Sequence, residues 1–200
     1  KIISILLVAG LVTVSVTRSR RLLYEAVAEQ SAAAELSRFF SPDVARQIVG
    51  SEQALKPGDG RAREAAVMFV DLRGFTRLAG RIEPGEVMSL LAEYQRIVVP
   101  LVNANRGSVT TFLGDGVMIT FGAVKPSLTY AADALRCTQQ LLDAMAEWSN
   151  DRAAAGLPPL GVGIGVATGT VTVGVIGDES RLEFAAIGDT TNRAAKLQNH

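Results

Sequence analysis

The chain has 200 residues, a formal net charge of zero and 48% hydrophobic residues. This neutral balance argues against nucleic-acid binding, which needs clustered lysine and arginine. The one cysteine, Cys137, excludes a disulfide framework within the chain and fits a reducing compartment. Cys137 falls in a helical pattern, which predicts a small buried side chain rather than a reactive thiol.

Residues 2–16 are apolar with four exceptions, and three arginines follow within residues 17–21. A membrane span needs roughly 20 apolar residues, so we expect residues 1–17 to be the C-terminal part of a transmembrane helix in a longer protein. The arginines predict an inner-membrane protein whose following domain is cytoplasmic. A signal peptide is disfavoured because no A-x-A-like cleavage site follows, and a buried core helix is the remaining alternative.

Residues 18–49 are predicted to form a juxtamembrane signalling helix. Residues 22–40 contain strong helix formers and neither glycine nor proline, and their spacing suits a short parallel coiled coil. A plain linker helix explains the same pattern. Residues 50–63 are rich in glycine and charge and contain Pro57, which predicts a linker. A globular domain is then expected over residues 64–200, incomplete at its C-terminal end.

The domain is predicted to follow the order strand, helix, strand, strand, helix, strand, which is the ferredoxin-like α+β arrangement. The predicted strands cover residues 66–72, 108–113, 117–122 and 161–167, and the predicted helices cover residues 86–105 and 127–154. Pro84 opens the first helix, and Pro100 predicts a kink inside it. A further strand over 183–187 and a helix from about residue 192, capped by Asp189 or Thr190, are expected after these.

The run GVGIGVATGTVTVGVIGD over residues 161–178 contains a G-x-G-x-G pattern. A dinucleotide-binding fingerprint needs a helix directly after such glycines, whereas β-branched residues follow here. We therefore reject dinucleotide binding. The glycines are expected to admit close packing of another backbone.

Two aspartates lie at the ends of apolar runs. Asp71 ends a strand that is apolar on both faces, and Gly74 lets the backbone turn sharply after it. Asp115-Gly116 between two apolar strands predicts a tight primed turn with Asp115 at its tip. If the two strands are neighbours the carboxylates converge, and a divalent cation would relieve their repulsion. Taken singly, an Asp-Gly pair is usually only a turn and a strand-end aspartate is often a helix cap.

Together these motifs resemble the class III nucleotidyl cyclases, the family of adenylyl and guanylyl cyclases. FVDLRGFT is similar to their metal-binding motif F-x-D-x-x-G-F-T, and their second metal aspartate lies in a Gly-Asp hairpin turn. The segment ESRLEFAAIGDTTNRAAKL resembles the family pattern I-G-D-x-V-N-x-A-A-R-L. The resemblance covers roughly residues 64–200 and implies the same ferredoxin-like fold.

The resemblance implies an adenylate cyclase that converts ATP to cyclic AMP and pyrophosphate with two ions of Mg²⁺ or Mn²⁺. The metal ligands would be the carboxylates of Asp71 and Asp115 and the backbone carbonyl of Leu72. The phosphates would bind backbone amides at the start of a helix, those of Arg73, Gly74, Phe75 and Thr76.

The resemblance also implies a head-to-tail homodimer in which each site takes residues from two chains. Asn192 would orient the ribose, and Lys196, four residues later on the same helical face, would stabilise the transition state. The family usually has arginine at position 196, and lysine lacks its planar fork.

The positions that read the base depart from the family pattern. Adenylyl cyclases usually carry lysine where this chain has Thr111, and aspartate or threonine where it has Ala185; the guanylyl pair, glutamate and cysteine, is absent too. ATP is expected because related bacterial enzymes are mostly adenylyl cyclases. A cyclase with relaxed choice between ATP and GTP, or a silent pseudo-cyclase that binds nucleotide and signals through dimerisation, stays open. An RNA-binding module is disfavoured because the central strands carry few aromatic residues and no basic surround.

Overall fold

The computed structural model describes residue 58 and residues 60–178 and 181–199. The predicted transmembrane segment over 1–17 and signalling helix over 18–49 lie outside the described residues, as does most of the predicted linker. Among the residues that are described, no helix is both long and apolar enough to cross a membrane.

The described residues form an α+β domain of five strands and four helices. The strands are β1 (Gly60–Arg73), β2 (Ser108–Leu113), β3 (Gly116–Phe121), β4 (Gly161–Asp178) and β5 (Arg181–Ile187). The helices are α1 (Phe75–Ala79), α2 (Pro84–Ala104), α3 (Tyr130–Ala154) and α4 (Asp189–Gln198). The predicted order of strands and long helices is therefore observed, with the short α1 inserted after β1.

The strands form one antiparallel sheet in the order β2-β3-β1-β4-β5. The central strand β1 pairs with β4 along its whole length, from Gly60 opposite Gly174 to Arg73 opposite Gly161. On its other side β1 pairs with β3, which continues from β2 through the hairpin. The strand β1, in which the FVDLRGFT motif begins, is thus the middle of the sheet, and β2 and β5 are its two edges.

The core lies between β1 and the two long helices. Alternate β1 residues (Ala66, Met68, Val70 and Leu72) pack with the buried stripe of α2, which repeats every four residues, and with the buried face of α3. Cys137 is fully buried on α3, and burial raises the pKa of its thiol to about 12. The predicted burial of Cys137 is confirmed.

Several element boundaries differ from the predicted ones. β1 begins at Gly60, inside the predicted linker over 50–63, because its first residues pair with the far half of β4 although their side chains are mostly exposed. β4 likewise continues to Asp178 rather than ending at residue 167. Backbone pairing orders the exposed start of β1 without an apolar pattern, whereas the β4 extension carries alternate buried valines, Val171, Val173 and Val175.

The helix starts show two different kinds of cap. α2 begins at Pro84, and Glu83 just before it forms a reciprocal capping box with Glu86 in the first turn of the helix. The predicted caps of α4, Asp189 and Thr190, are wrong, since Gly188 occupies the N-cap position without a side-chain hydrogen bond. The Thr190 hydroxyl instead donates to the carbonyl of Thr170 at 3.1 Å, which ties α4 to β4.

The hairpin turn is displaced by one residue from the predicted turn. Gly116 pairs with Leu113 inside the strands, so the two-residue loop is Gly114-Asp115 rather than Asp115-Gly116. The positive φ of 72° falls on Gly114, the first loop position, where a type II′ turn requires glycine. Asp115 remains at the hairpin tip as predicted.

Candidate functional site

Asp71 and Asp115 meet at one end of the sheet. Asp71 lies near the end of β1, and its Oδ1 atom is 3.6 Å from the point where a Cβ on Gly116 would stand. In the pairing of β1 with β3, Val70 lies opposite Val117. If the same register continues, Asp115 lies across from the end of β1. The predicted convergence of the two carboxylates therefore occurs within one chain.

The electrostatics of Asp115 reflect this convergence. Burial raises the pKa of its carboxyl above the ordinary value, its own backbone amide opposes the rise, and the charge of Asp71 and a hydrogen-bonding interaction with Asp71 raise it further. Two carboxylates held this close favour either a shared proton or a cation between them.

Tyr94 on α2 lies near the same carboxylates. Its side chain is fully buried, and its hydroxyl has no hydrogen-bond partner among the described residues. Burial raises the pKa of the Tyr94 phenol, and the negative charges of Asp71 and Asp115 raise it further. The Tyr94 phenol is therefore neutral at pH 7 and places an unpaired hydroxyl near the carboxylate pair.

The donor set fits a hard divalent cation that binds together with a substrate. Within the described ranges no group of three or more His, Cys, Asp or Glu side chains could hold a metal ion. Mg²⁺ is commonly held by one or two carboxylates, with substrate phosphates and water completing its shell. Asp71 and Asp115 supply this pair. The Leu72 side chain is buried in the core beside them, and its carbonyl as a ligand stays a prediction.

The predicted phosphate segment turns away from the sheet directly after Asp71. Gly74 has φ of 88°, a left-handed conformation that favours glycine, and it precedes α1. Phe75 is buried and Thr76 is exposed at the start of this five-residue helix. The Arg73 guanidinium extends across β4 and lies over Gly163. A Cβ on Gly163 would stand 2.5 Å from the Arg73 Nε. The guanidinium also donates to the backbone carbonyl of Gln198.

Helix α4 presents two opposite faces. Asn192 and Lys196 are both exposed, one turn apart, as predicted. The buried face consists of Thr190, Ala194 and Gln198 and packs on β4. Since residues 196 and 198 are about 200° apart around a helix, Lys196 faces away from the sheet that carries Asp71.

The two base-reading positions lie at opposite edges of the sheet. Thr111 is on β2 and Ala185 is on β5, with β3, β1 and β4 between them. Four interstrand steps of about 4.8 Å separate the two strands by roughly 19 Å. One chain therefore does not bring Thr111 and Ala185 together, and both side chains remain partly exposed.

One site residue, Gln198, was not predicted from the sequence. Its side-chain Nε2 donates to Asp71 Oδ2 at 3.3 Å, and the residue is 8% exposed. The available signal was its spacing, since Thr190, Ala194 and Gln198 repeat every four residues on one face. A buried glutamine needs hydrogen-bond partners, but the sequence does not identify which.

Comparison with known proteins places these features in a family. The family described as the adenylate and guanylate cyclase catalytic domain matches residues 59–200. Adenylate cyclase 1 of Rhizobium meliloti (strain 1021) is 33% identical over 142 residues, which cover 70% of this chain and 21% of that protein. An uncharacterized protein of Mycobacterium tuberculosis (strain ATCC 25618 / H37Rv) is 35% identical over 159 residues, covering 79% and 27%. The chain spans about a fifth to a quarter of the length of these relatives.

Solved structures give the same result. The guanylyl cyclase Cya2 is 31% identical with a TM-score of 0.65, and the match covers 72% of each chain. The adenylyl cyclase CyaB from P. aeruginosa is 28% identical with a TM-score of 0.67, covering 70% of this chain and 74% of that one. With the family match over most of its length, the chain belongs to the class III nucleotidyl cyclases, the adenylate and guanylate cyclase catalytic-domain family.

Proposed function

We propose that this chain is the catalytic part of an adenylate cyclase that converts ATP to cyclic AMP and pyrophosphate at a homodimer interface. Class III cyclases are lyases that act on nucleotides, use divalent metal ions and work as dimers. The observation that carries the proposal is the division of the site within one chain. Asp71 and Asp115 converge at one end of the sheet, whereas Asn192 and Lys196 face outward from α4.

Two copies arranged head to tail would complete each site. The first copy would contribute Asp71 and Asp115, and the second would contribute Asn192 and Lys196. This division agrees with the exposure of Asn192 and Lys196 on the face of α4 opposite its buried residues Thr190, Ala194 and Gln198. In a dimer with twofold symmetry every contact between the two copies is made twice, so this arrangement forms two equivalent sites.

In the proposed reaction the ribose 3′ oxygen attacks the α-phosphorus of the same nucleotide. The bond from O3′ to the α-phosphorus forms, the bond to the bridging oxygen of the β-phosphate breaks, and pyrophosphate leaves while the hydroxyl proton passes to solvent. Two divalent ions held by Asp71 and Asp115 would supply positive charge to the attacking and leaving oxygens. Asn192 would orient the ribose for in-line attack. The positive charge of Lys196 would stabilise the negative charge that develops on the phosphate oxygens in the transition state.

The preference for ATP over GTP rests on weaker support than the reaction class. The similar solved structures include a guanylyl cyclase and an adenylyl cyclase, and their sequence identities and TM-scores to this chain are nearly equal. Ala185 has no hydrogen-bonding group in its side chain, and Thr111 has only a hydroxyl. Discrimination between bases depends on buried polar groups that the wrong base leaves unpaired. These two side chains therefore favour a second candidate, a cyclase that accepts both ATP and GTP.

Membrane attachment is part of the proposal and is supported by the sequence alone. The apolar residues 2–16 and the arginines that follow them are typical of a span that leads into the cytoplasm. Recovery of the full-length protein in the membrane fraction after a carbonate wash would agree with this, and recovery in the soluble fraction would contradict it.

The activity test uses the full-length protein with Mn²⁺ or Mg²⁺ and with ATP or GTP in separate reactions. Asp71→Ala should abolish cyclic nucleotide production, and the exposed Asp143→Ala on α3 is the matched control. Product from ATP alone would support the adenylate cyclase. Product from both substrates would support the relaxed cyclase, and no product from either would contradict an enzyme.

The shared site is tested by mixing two inactive variants. Asp71→Ala and Asn192→Ala each damage both sites of their own homodimer. Random exchange makes half of the dimers mixed, and each mixed dimer has one intact site of two, so activity should return to about a quarter of the parental value. Absence of recovery, with exchange demonstrated by two affinity tags, would show that each site is built within a single chain.

A further inference from the structure

Gln198 contacts the proposed metal half of the site from its own chain. Its side-chain amide donates to Asp71 Oδ2 at 3.3 Å across 127 residues of sequence. The other oxygen, Asp71 Oδ1, lies on the hairpin side, 3.6 Å from the Cβ position of Gly116. The two oxygens of one carboxylate therefore have different neighbours, the glutamine amide at Oδ2 and the hairpin at Oδ1.

This contact is compatible with a bound cation. Each carboxylate oxygen has two lone pairs, so Oδ2 can accept from the glutamine amide and still contribute to a metal shell. Hydrogen bonds to the carboxylates that bind a metal orient those carboxylates and commonly change metal affinity by 10- to 100-fold.

The backbone around Gln198 is held closely against the sheet. A Cβ on Gly165 of β4 would fall on the Ala194 carbonyl and the Gln198 amide nitrogen, well inside contact distance, so α4 lies directly on the strand backbone. The Arg73 guanidinium donates to the Gln198 carbonyl. Gln198 itself is 8% exposed. These contacts keep its side chain directed at Asp71.

We propose that Gln198 is a positioning residue that orients Asp71 of its own chain, so that α4 joins the metal half of one site to the ribose half of the other. The same helix carries Asn192 and Lys196 on its opposite, exposed face. The link between the two sites rests on the proposed function, because Asn192 and Lys196 act on the partner's substrate only in the shared-site dimer. The contact between Gln198 and Asp71 lies within one chain and is tested without turnover.

The first test measures binding of Mn²⁺ alone to the full-length protein, by the electron paramagnetic resonance signal of free Mn²⁺. Gln198→Met keeps the length and helix propensity of the side chain but removes the amide, and it should weaken Mn²⁺ binding by about 10- to 100-fold. Gln139→Met, on the exposed side of α3, is the matched control and should bind as the parent does. Gln198→Ala is the second variant in case methionine prevents folding. Unchanged affinity in a folded Gln198 variant would overturn the proposal.

The second test assigns the chain on which Gln198 acts, using the mixed dimer with one intact site. In that dimer the Asn192→Ala chain supplies Asp71, and the Asp71→Ala chain supplies Asn192. Adding Gln198→Met to the chain that supplies Asp71 should lower activity by about 10- to 100-fold. Adding it to the other chain should lower activity far less, and equal losses would show that Gln198 acts only through general packing.

The two proposals can fail separately. If the unmodified mixed pair makes no cyclic nucleotide, the shared site of the proposed function fails, while Mn²⁺ binding still decides whether Gln198 orients Asp71. If the mixed pair is active and Mn²⁺ binding is insensitive to Gln198, the shared-site cyclase stands and the role of Gln198 is refuted.

Discussion

At the scale of single residues, the Tyr94 hydroxyl lowers the stability of the folded protein. It is fully buried near Asp71 and Asp115 and has no hydrogen-bond partner among the described residues. A buried polar group without a partner costs about 1–3 kcal/mol. Residues that impose such a cost often lie at functional sites, where the missing partner arrives with a ligand.

We predict that Tyr94→Phe raises the free energy of unfolding of the metal-free protein by about 1 kcal/mol, because the ring still fills its place while the orphaned hydroxyl is removed. Urea unfolding in the presence of EDTA measures this. Thr120→Val is a matched control, since the Thr120 hydroxyl is the other buried group without a partner in the described part of the chain. A lower unfolding free energy for Tyr94→Phe would mean that the hydroxyl is satisfied in solution.

Asp133 is a buried carboxylate whose charge is fully compensated. Its side chain is 1% exposed, and it accepts hydrogen bonds from Arg106 at 2.9 Å, Arg136 at 3.1 Å and Thr129 at 2.7 Å. Burial raises the pKa of Asp133, but these three donors outweigh burial and leave its pKa below the usual range. The group therefore stabilises the fold when it is ionised.

We predict that Asp133→Asn lowers the free energy of unfolding at pH 7 by about 2–3 kcal/mol, since it removes charge-assisted hydrogen bonds. The folded pKa is the depressed one, so the contribution is fully present above the unfolded value of 3.8 and is lost as the pH falls through the folded pKa. Unfolding curves for parent and variant from pH 7 to pH 3 should converge in acid. A constant difference over that range would contradict this assignment.

At the scale of elements, the position of α4 depends on a strand residue without a side chain. Gly165 lies beneath Ala194 and Gln198, and a Cβ there would overlap helix backbone rather than a flexible side chain. The backbone of α4 cannot yield locally, because Thr190 and Thr191 also tie its first turn to the carbonyls of Thr170 and Ala186.

We predict that Gly165→Ala destabilises the protein by about 1–3 kcal/mol, as overpacked sites do, and strongly reduces cyclic nucleotide production because α4 shifts. Gly85→Ala is the matched control. Gly85 lies in the first turn of α2 with no atom within 4 Å of its Cβ position, so alanine should be neutral or stabilise by up to about 1 kcal/mol. Chemical unfolding and turnover measure both effects, and a Gly165→Ala protein with parental stability would refute close packing of α4.

At the scale of the whole molecule, a single chain leaves each half of the proposed site without its complement. The carboxylate pair lies near the β2–β3 hairpin, and the base position Ala185 lies on the opposite edge strand. The activity of such a protein depends on association of two chains, and association depends on protein concentration.

We predict that specific activity falls on dilution, in step with dissociation of the dimer, because a monomer holds no complete site. Turnover and mass photometry over the same concentration series measure the two quantities. Activity per chain that stays constant where the protein is monomeric would contradict the shared site.

Features that depend on short stretches of chain could be predicted from the amino-acid sequence. The FVDLRGFT strand, the Asp115 hairpin, the amphipathic helices and the shared face of Asn192 and Lys196 could all be predicted, because local periodicity and turn chemistry encode them. The predicted convergence of Asp71 and Asp115 depended on their strands being neighbours, and β1 and β3 are paired in the sheet.

Contacts between groups that are distant in sequence became known only from the folded chain. The first residues of β1 are ordered by pairing with the far end of β4, and the Gln198 amide reaches Asp71 across 127 residues. The separation of Thr111 and Ala185 likewise follows from strand order rather than from either segment. A local pattern predicts that a residue will be buried. Which residue packs against it depends on how the whole sheet and its helices pack.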